Sequence, residues 1–283
     1  MSTILPEQSL NVAVIEPDGT SSDLGLGTLW ARRELVLMLA MRSIRVRYRD
    51  TSLGILWAFA QPLIYMIVIS TFFGLIARFD TGPIPYPLHL LTGLVAFQLL
   101  TKSIGEGSNA ITGNRGILQM IYIPPVVFPA ASVISSLIDF LFPAILIVFF
   151  LTYYAIIPTW TLAYLPIALL WLAIMCIAAQ ITMSVLAVRF TDTRVLVPIV
   201  SQLLFFATPI FYPVTIIPDG YLIAYGLINP MAGVIELLRW CLFGPEQALH
   251  LDLVAASALS TLVITVVSIA VFRSIARRLH RYL

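Results

Sequence analysis

The sequence predicts an all-α integral membrane protein with six transmembrane helices, and three observations support this fold class. Of its 283 residues, 60% are hydrophobic and only 11% are charged, whereas a soluble domain carries about 25% charged residues. Several stretches without charge are long enough to cross the apolar core of a bilayer, which is about 30 Å thick. Most arginines fall on one side of the predicted membrane, as in cytoplasmic segments. A soluble protein of this composition would expose large apolar patches, so the membrane class is preferred.

The segment before the first span is predicted to contain a tail and a separate helix. Residues 1–27 predict a flexible cytoplasmic tail, because acidic residues, prolines and glycines replace the basic start and apolar run of a cleavable signal peptide. Residues 28–50 predict an amphipathic helix at the membrane interface, with one apolar arc beside a row of arginines. The arc comprises Trp30, Leu37, Met41, Ile44 and Tyr48, and the row comprises Arg42, Arg45 and Arg49. A simple extension of the first span is the alternative, but the cap-like residues Asp50, Thr51 and Ser52 favour two helices.

Residues 51–283 are predicted to form the six-span membrane domain. The spans are expected at residues 53–77, 88–110, 126–153, 160–188, 195–217 and 252–272. Pro62 is expected to kink the first span, because proline removes a backbone hydrogen bond. In the second span, Lys102 and Glu106 lie at i and i+4 and are expected to pair on one helix face.

Residues 218–248 are predicted to form short extracytoplasmic helices that re-enter the membrane between spans five and six. Breaks at Asn229-Pro230 and Gly244-Pro245 leave roughly 13 residues between them, which are too few to cross. An ordinary seventh span is the alternative, but it would place the basic C-terminal end outside. With six spans both termini are cytoplasmic, since every arginine except Arg78 and Arg239 then lies on the cytoplasmic side.

The sequence lacks the motifs of common enzymatic and nucleotide-binding sites. A phosphate-binding Walker loop requires a lysine, and the only lysine, Lys102, belongs to no such motif. No nucleophile elbow, zinc-protease motif or metal-binding spacing of histidines occurs. We therefore predict no catalytic residues, no metal and no cofactor on this chain, and no nucleic-acid partner. A membrane-embedded glycosyl- or acyltransferase would need a catalytic acid or histidine at the membrane face, and none is convincingly placed.

Asp139 is the one carboxylate well inside an apolar stretch, which makes it a functional candidate. Two interpretations are open: a proton-coupling group, or a hydrogen-bonded structural acid between helices. The second is preferred, because a proton relay needs more than one such group. An ion-coupled secondary transporter would also need paired intramembrane charges and internal repeats, and the sequence indicates neither.

Aromatic residues are numerous near the ends of the first and fifth predicted spans. Packing and interface belts account for most residues of this kind. The alternative is a path on which a glycan slides over uncharged ring faces. The aromatic residues assigned to that path are Trp57, Tyr65, Phe72, Phe205, Phe211 and Tyr212.

Five stretches in order resemble the permease subunit of polysaccharide-exporting ABC transporters of the ABC-2 type, especially O-antigen exporters and their teichoic-acid relatives. The stretches are residues 33–63, IYIPPVVFPAA at 121–131, AVRFTDTR at 187–194, ATPIFYPVTIIP at 207–218 and NPMAGVIELLR at 229–239. The resemblance implies a homodimer in the bacterial inner membrane. It also implies two copies of a separate cytosolic ABC ATPase subunit, which binds the ATP and magnesium.

The resemblance further implies roles for two groups of residues. The helix that couples the ATPase to the membrane domain corresponds to Gly113, Asn114, Arg115, Gly116, Ile117, Leu118, Gln119, Met120 and Tyr122. The substrate would be an undecaprenyl-pyrophosphate-linked glycan, and Arg45, Arg47 and Arg49 would meet its pyrophosphate. The positive-inside rule and the phosphates of membrane lipids explain these arginines equally well. Export of capsule, teichoic acid or a small molecule such as a drug is the alternative within the class.

Overall fold

The computed structural model describes residues 26–49, 51–77, 79, 81–120 and 123–276. All regular secondary structure in these ranges is helical. Most of the predicted tail (residues 1–25), Asp50, Tyr122 and the C-terminal end from residue 277 lie outside the described residues.

Eleven α-helices follow one another within the described ranges. They are α1 (Leu26–Ala31), α2 (Arg33–Arg49), α3 (Trp57–Ile69), α4 (Tyr86–Ala110), α5 (Arg115–Met120), α6 (Val127–Tyr153), α7 (Leu165–Arg189), α8 (Thr193–Ala207), α9 (Leu222–Ile228), α10 (Pro230–Phe243) and α11 (Leu251–Ala276). Short 3₁₀ turns precede α3, α5, α7 and α9, and a π-helical segment, Ser70–Ala77, continues α3.

Five helices are long and apolar enough to cross a membrane, and they coincide with predicted spans one to four and six. They are Gly54–Gly74, Tyr86–Ala110, Val127–Tyr153, Trp160–Arg189 and Leu251–Ile275. A sixth is reached only if the bent pair α9–α10 counts as one span. The sequence therefore predicts the membrane class and most span positions correctly.

The predicted fifth span, 195–217, is wrong in its length. Helix α8 ends at Ala207, and its 15 residues measure about 22 Å, less than the apolar core of about 30 Å. The cause is local, because Pro209 disfavours helical backbone at the preceding residue, Thr208, which is extended (ψ 141°). Residues 208–213 then run without regular helix.

The junction between α2 and α3 is a break between two helices and not a continuous span. Helix α2 ends at Arg49, and α3 begins at Trp57 after a 3₁₀ turn, Gly54–Leu56. Gly54 has a φ of +54°, a conformation in which a residue with a side chain is strained. The chain can therefore change direction here, and the position of α2 at the membrane surface stays a prediction.

Helix α4 is at the centre of the molecule and α3 is at its periphery. In the most apolar 18-residue window of α4, 78% of the residues are buried, whereas only 11% are buried in the corresponding window of the first span. Helices α6 and α7 pack on α4. Gly107 permits a close approach, because a Cβ at this position would lie 2.7 Å from the backbone oxygen of Gln180 on α7.

Helices α9 and α10 form a sharply bent pair on the side of the molecule where α8 ends. Their axes differ by 111° across the break at Asn229-Pro230, as the proline at this position predicts. Helix α10 ends at Gly244, whose φ is +93°. Both predicted breaks in residues 218–248 are therefore present.

A buried arginine of α10 holds the irregular segment after α8. Arg239 is fully buried and donates hydrogen bonds to the carbonyl oxygens of Pro209 at 2.9 Å, Ile210 at 2.9 Å and His89 at 3.0 Å. Backbone that leaves the helix inside a membrane protein needs such partners. The guanidinium therefore satisfies two carbonyls of the irregular segment after α8 and links that segment to His89 of α4.

Candidate functional site

Four charged side chains from three helices form a cluster in the membrane domain. Asp139 of α6 pairs with both Arg47 of α2 and Lys102 of α4, and Arg47 also pairs with Glu106 of α4. The side chain of Asp139 is only 2% exposed. The two cations and two carboxylates balance, which lowers the cost of burying them. We call these four residues the charge cluster.

The charge cluster corrects one prediction about α4. Lys102 and Glu106 do not serve as partners for each other: Lys102 reaches Asp139, and Glu106 binds Arg47. The cause is tertiary, because α6 brings a buried carboxylate toward Lys102 and α2 brings an arginine toward Glu106. Buried opposite charges outcompete a pair at i and i+4, which contributes only about 0.2–0.5 kcal/mol on an isolated helix.

Hydroxyl and amide groups extend the charge cluster to α7. The hydroxyl of Ser136 donates to Glu106 Oε2 at 2.8 Å, and Gln180 Nε2 donates to Ser136 Oγ at 2.9 Å. Tyr48 donates to Asp139 Oδ1 at 3.3 Å. Burial raises the pKa of Tyr48 above its usual value, so its hydroxyl stays protonated as a donor at neutral pH.

Asp139 is therefore a hydrogen-bonded, ion-paired acid between helices, which is the preferred interpretation of its sequence position. The expectation that paired intramembrane charges are absent is wrong, because α4 and α6 carry Lys102 and Asp139 as a pair. Sequence reasoning missed the charge cluster because its members are far apart in the chain. Arg47 and Glu106, for example, are separated by 59 positions.

Two clefts lie on either side of the charge cluster, and both are lined by Arg47 and Lys102. The first cleft, of about 630 Å³, lies between α2, α4 and α6 and also contacts Arg42, Glu106 and Asn109. The second cleft, of about 570 Å³, lies between the α2–α3 junction, α4 and α6. Its further lining includes Trp57, Gln61, Gln98, Thr101 and Asp139. Both volumes are typical of small-molecule sites.

The three arginines predicted to act together point in different directions. Arg45 and Arg49 are exposed on α2. The side chain of Arg47 is 30% exposed and belongs to the charge cluster. Helical geometry separates Arg47 from the other two, because residues two apart on a helix do not share a face, whereas Arg45 and Arg49, four apart, do.

The aromatic residues assigned to the path fall into two groups. Trp57 lines the second cleft, while Tyr65 and Phe72 are exposed along the first span. Phe205, Phe211 and Tyr212 pack together near the end of α8. Phe73, from the end of the first span, packs against Phe211 with ring centroids 5.0 Å apart and ring planes tilted by 36°. The structure thus connects the ends of the first span and α8 through rings, and it leaves Trp57 apart from them.

Polar contacts on α9 and α10 were not predicted from the sequence. The end of α8 is capped by Asn229, whose Nδ2 donates to the Ala207 oxygen at 3.0 Å, and by the hydroxyl of Tyr225. His250, before α11, pairs with the buried Glu236 at 2.9 Å. The sequence contains one hint of these contacts, namely charged residues within a short apolar helix.

The predicted coupling segment contains a 3₁₀ turn, Thr112–Asn114, followed by α5. Gly113, Arg115 and Gly116 are exposed, and Met120 is 85% exposed. Asn114 and Ile117 are partly buried, and Asn114 also lines the first cleft. The side chains of Leu118 and Gln119 lie outside the described residues, as does Tyr122.

Helices of spanning length, a buried charge cluster and two clefts together define a polytopic membrane protein. The chain belongs to the ABC-2 type transporter family, whose sequence profile matches residues 34–243. The resemblance to ABC-2 permeases is thereby confirmed.

Curated relatives extend this similarity over most of the chain. An O-antigen export system permease protein, RfbA of Myxococcus xanthus, is 30% identical over 73% of this chain and 79% of its own. RfbA of Klebsiella pneumoniae is 27% identical over 87% of this chain and 93% of its own. The polysialic acid transport protein KpsM of Escherichia coli is 27% identical over 71% of this chain and 78% of its own. These relatives are transporter subunits and not enzymes, and so is this chain.

Proposed function

We propose that this chain is the membrane-spanning subunit of an ATP-driven exporter of a polysaccharide. The substrate is an undecaprenyl-pyrophosphate-linked, O-antigen-like glycan that crosses the bacterial inner membrane from the cytoplasmic side. The observation that carries the proposal is the similarity over 71–87% of the chain to relatives whose names specify O-antigen export or polysialic acid transport. Those relatives differ in polymer but share this membrane domain, so the class of substrate is supported more strongly than its identity.

The exposure pattern of α2 supports its assignment as an interface helix. Leu37 and Met41 are each 50% exposed although they are apolar, which suits contact with acyl chains. Arg42, Arg45 and Arg49 are exposed beside them, which suits contact with phosphates at the cytoplasmic surface. We place both termini in the cytoplasm. In this arrangement α8 and the irregular segment after it form the fifth crossing, α9 and α10 form the re-entrant pair on the outer side, and α11 is the sixth crossing.

Two assembly partners complete the proposed exporter. A second copy of this chain forms a homodimer, and the first span, with Ile64, Ile67 and Phe72 exposed, presents an apolar face for it or for lipid. Two cytosolic ATPase subunits bind ATP and magnesium. The exposed α5 serves as their docking helix, because α5 directly follows the central α4 and is connected to it by a single turn.

The aromatic contacts support a path for an uncharged polymer. Rings of Phe205, Phe211 and Tyr212 meet at the end of α8, where the backbone also leaves the helix. Ring faces bind sugar surfaces through apolar contact without strong polar anchoring, which permits movement. Export of capsule, teichoic acid or a small molecule uses the same architecture and is the alternative.

The charge cluster raises a second candidate function, ion-coupled transport, because it contains a buried acid. Its charge balance speaks against this candidate, since Asp139 already has Arg47 and Lys102 as permanent counter-charges. Asp139→Asn distinguishes the two when transport is measured per complex that remains folded in size-exclusion chromatography: ATP-driven export continues, whereas ion-coupled transport stops.

The proposed function is tested by deleting the gene for this chain in its native host. We expect the polymer to accumulate in the cytoplasm, and re-expression of the chain to restore it at the cell surface. A Met120→Asp variant should still insert into the membrane but should lose export and its coupling to ATP hydrolysis. Ile157→Asp, at an exposed position distant from α5, is the control. Normal surface polymer in the deletion strain would contradict the proposal.

A further inference from the structure

The second cleft has a polar wall that the charge cluster does not use. Gln61 of α3 is exposed, and Gln98 of α4 presents a buried Nε2 atom that has no hydrogen-bond partner among the described residues. A buried donor without a partner costs about 1–3 kcal/mol. Two amides on facing helices therefore offer donors and acceptors to a ligand with hydroxyl groups.

The opposite wall of the second cleft carries two cationic side chains. Arg47 and Lys102 both line this cleft, with Asp139 as the one carboxylate, whereas Glu106 lines only the first cleft. The side chains of Arg47 and Lys102 are 30% and 29% exposed, so each can still contact a ligand. The charges of the cluster balance, but an ammonium has three N–H donors and a guanidinium has five, so both cations keep donors beyond their ion pairs. Charged donors of this kind favour a phosphate over a neutral group.

The mouth of the second cleft has an aromatic side chain. Trp57 is 42% exposed in the first turn of α3, next to the junction between α2 and α3. An exposed indole offers a flat apolar face and an N–H donor. Amides, an aromatic face and cations in one cleft form the combination that recognises a sugar carrying a phosphate.

We propose that the second cleft is a binding subsite for a glycosyl phosphate. The phosphate lies beside Lys102 and Arg47. The sugar ring lies against Trp57, and its hydroxyls reach the amides of Gln61 and Gln98. This inference rests on the proposed function for the source of the ligand, which is the phosphate-linked end of the carrier-bound glycan.

The test uses the full chain with its ATPase partner in lipid nanodiscs. Glucose 1-phosphate, glucose and glycerol 1-phosphate are titrated separately, and binding is measured by isothermal titration calorimetry. We expect glucose 1-phosphate to bind about tenfold more tightly than either of the others, because each of those engages only one wall of the cleft. Glycerol 1-phosphate represents the headgroup of a membrane phospholipid. Equal affinity for it would make the cleft a general phosphate site and would overturn the inference.

Substitutions in the polar wall test whether the ligand binds in the second cleft. Gln98→Leu and Gln61→Leu should each weaken glucose 1-phosphate binding about threefold to tenfold. Gln202→Leu, on the exposed side of α8, and Arg42→Gln, in the first cleft, are matched controls that should leave it unchanged. Unchanged binding in both cleft variants, with assembly intact by size-exclusion chromatography, would exclude this site.

The outcomes separate this inference from the proposed function. Loss of export on gene deletion without measurable glucose 1-phosphate binding would overturn the subsite alone. Binding that depends on Gln98, in a chain whose deletion leaves export normal, would overturn the proposed function and leave the subsite.

Discussion

Arg47, on the helix before the first span, forms an ion pair with the buried carboxylate of Asp139 in the third span. The same carboxylate pairs with Lys102, and Arg47 also pairs with Glu106. Charged groups in a membrane domain have few other partners, so each depends on the others. Helix α2 is therefore anchored to the membrane domain by charge as well as by apolar contacts.

Replacing Asp139 by Asn should destabilise the protein by about 3 kcal/mol, because it leaves two adjacent cations without their shared carboxylate. Thermal unfolding in detergent, followed by fluorescence-detected size exclusion, measures the effect. Asp252→Asn, at an exposed position in the first turn of α11, is the matched control. Equal midpoints for the two variants would show that the charge cluster contributes nothing to stability.

Substitutions of the arginines of α2 should have two different effects, one on stability and one on export. Arg47→Gln should lower the unfolding midpoint, because it removes the partner of two carboxylates. The double variant Arg45→Gln/Arg49→Gln should keep the midpoint and reduce export, since both side chains are exposed at the proposed membrane surface. Polymer export and thermal unfolding are measured on the same preparations. Unchanged export in the double variant would reduce Arg45 and Arg49 to topological charges.

Arg239→Lys should loosen the segment after α8 although the charge is kept. A lysine has no planar fork, so it cannot hold the carbonyls of Pro209, Ile210 and His89 together. Loss of these hydrogen bonds should increase proteolytic cleavage between α8 and α9 and lower the unfolding midpoint. Arg273→Lys, at an exposed site, is the control. Identical cleavage of the two variants would refute the role of Arg239.

Two glycines of α4 should respond in opposite ways to alanine. Gly107→Ala should destabilise by about 1–3 kcal/mol, because its Cβ would lie 2.7 Å from the Gln180 oxygen and force α4 and α7 apart. Gly105→Ala meets nothing within 4 Å and should stabilise slightly, because alanine favours helix. Chemical unfolding of both variants in detergent checks this order. A stable Gly107→Ala would mean that the two helices are not in close contact.

The contact between His250 and Glu236 should make stability pH-dependent. The hydrogen bond to Glu236 raises the pKa of His250, and the charge of Asp219 adds to this. The stabilisation of the folded state by this pair is therefore complete below the pKa of His250 in the unfolded chain, which is about 6.5. It is lost as pH rises through the higher pKa of His250 in the folded protein. Melting temperature should fall over that range in the parent and stay flatter in His250→Gln. Glu246→Gln, at a nearby exposed site, should keep the parental slope, and a parental slope in His250→Gln would contradict the assignment.

Much of the fold followed from the sequence because membrane helices obey local rules. Long apolar stretches with few charges predicted spans one to four and six, and proline and glycine predicted both breaks around α10. The fifth span failed because charge-free length continues beyond Ala207, whereas Thr208-Pro209 ends the helix there. Hydropathy cannot show that Arg239, elsewhere in the chain, binds the backbone carbonyls that follow this helix end.

The candidate site was predicted only in part. The sequence named Asp139 and Trp57 from their positions relative to apolar stretches, and it named Arg47 from the resemblance to ABC-2 permeases. It did not predict that the first two pair, nor that Gln61 and Gln98 share a cleft with them. Such groupings depend on which faces of α2, α3, α4 and α6 meet, and no spacing within one helix encodes that.

The sequence by itself determined that this protein lies in a membrane, where most of its spans are and to which family it is similar. These properties depend on local composition and on motifs read in order, which need no contacts between distant residues. Only the tertiary structure decided the partners of Asp139, the role of Arg239 and the walls of the two clefts. Burial makes unpaired charges and donors costly, so helix packing must supply partners, and these come from distant parts of the chain.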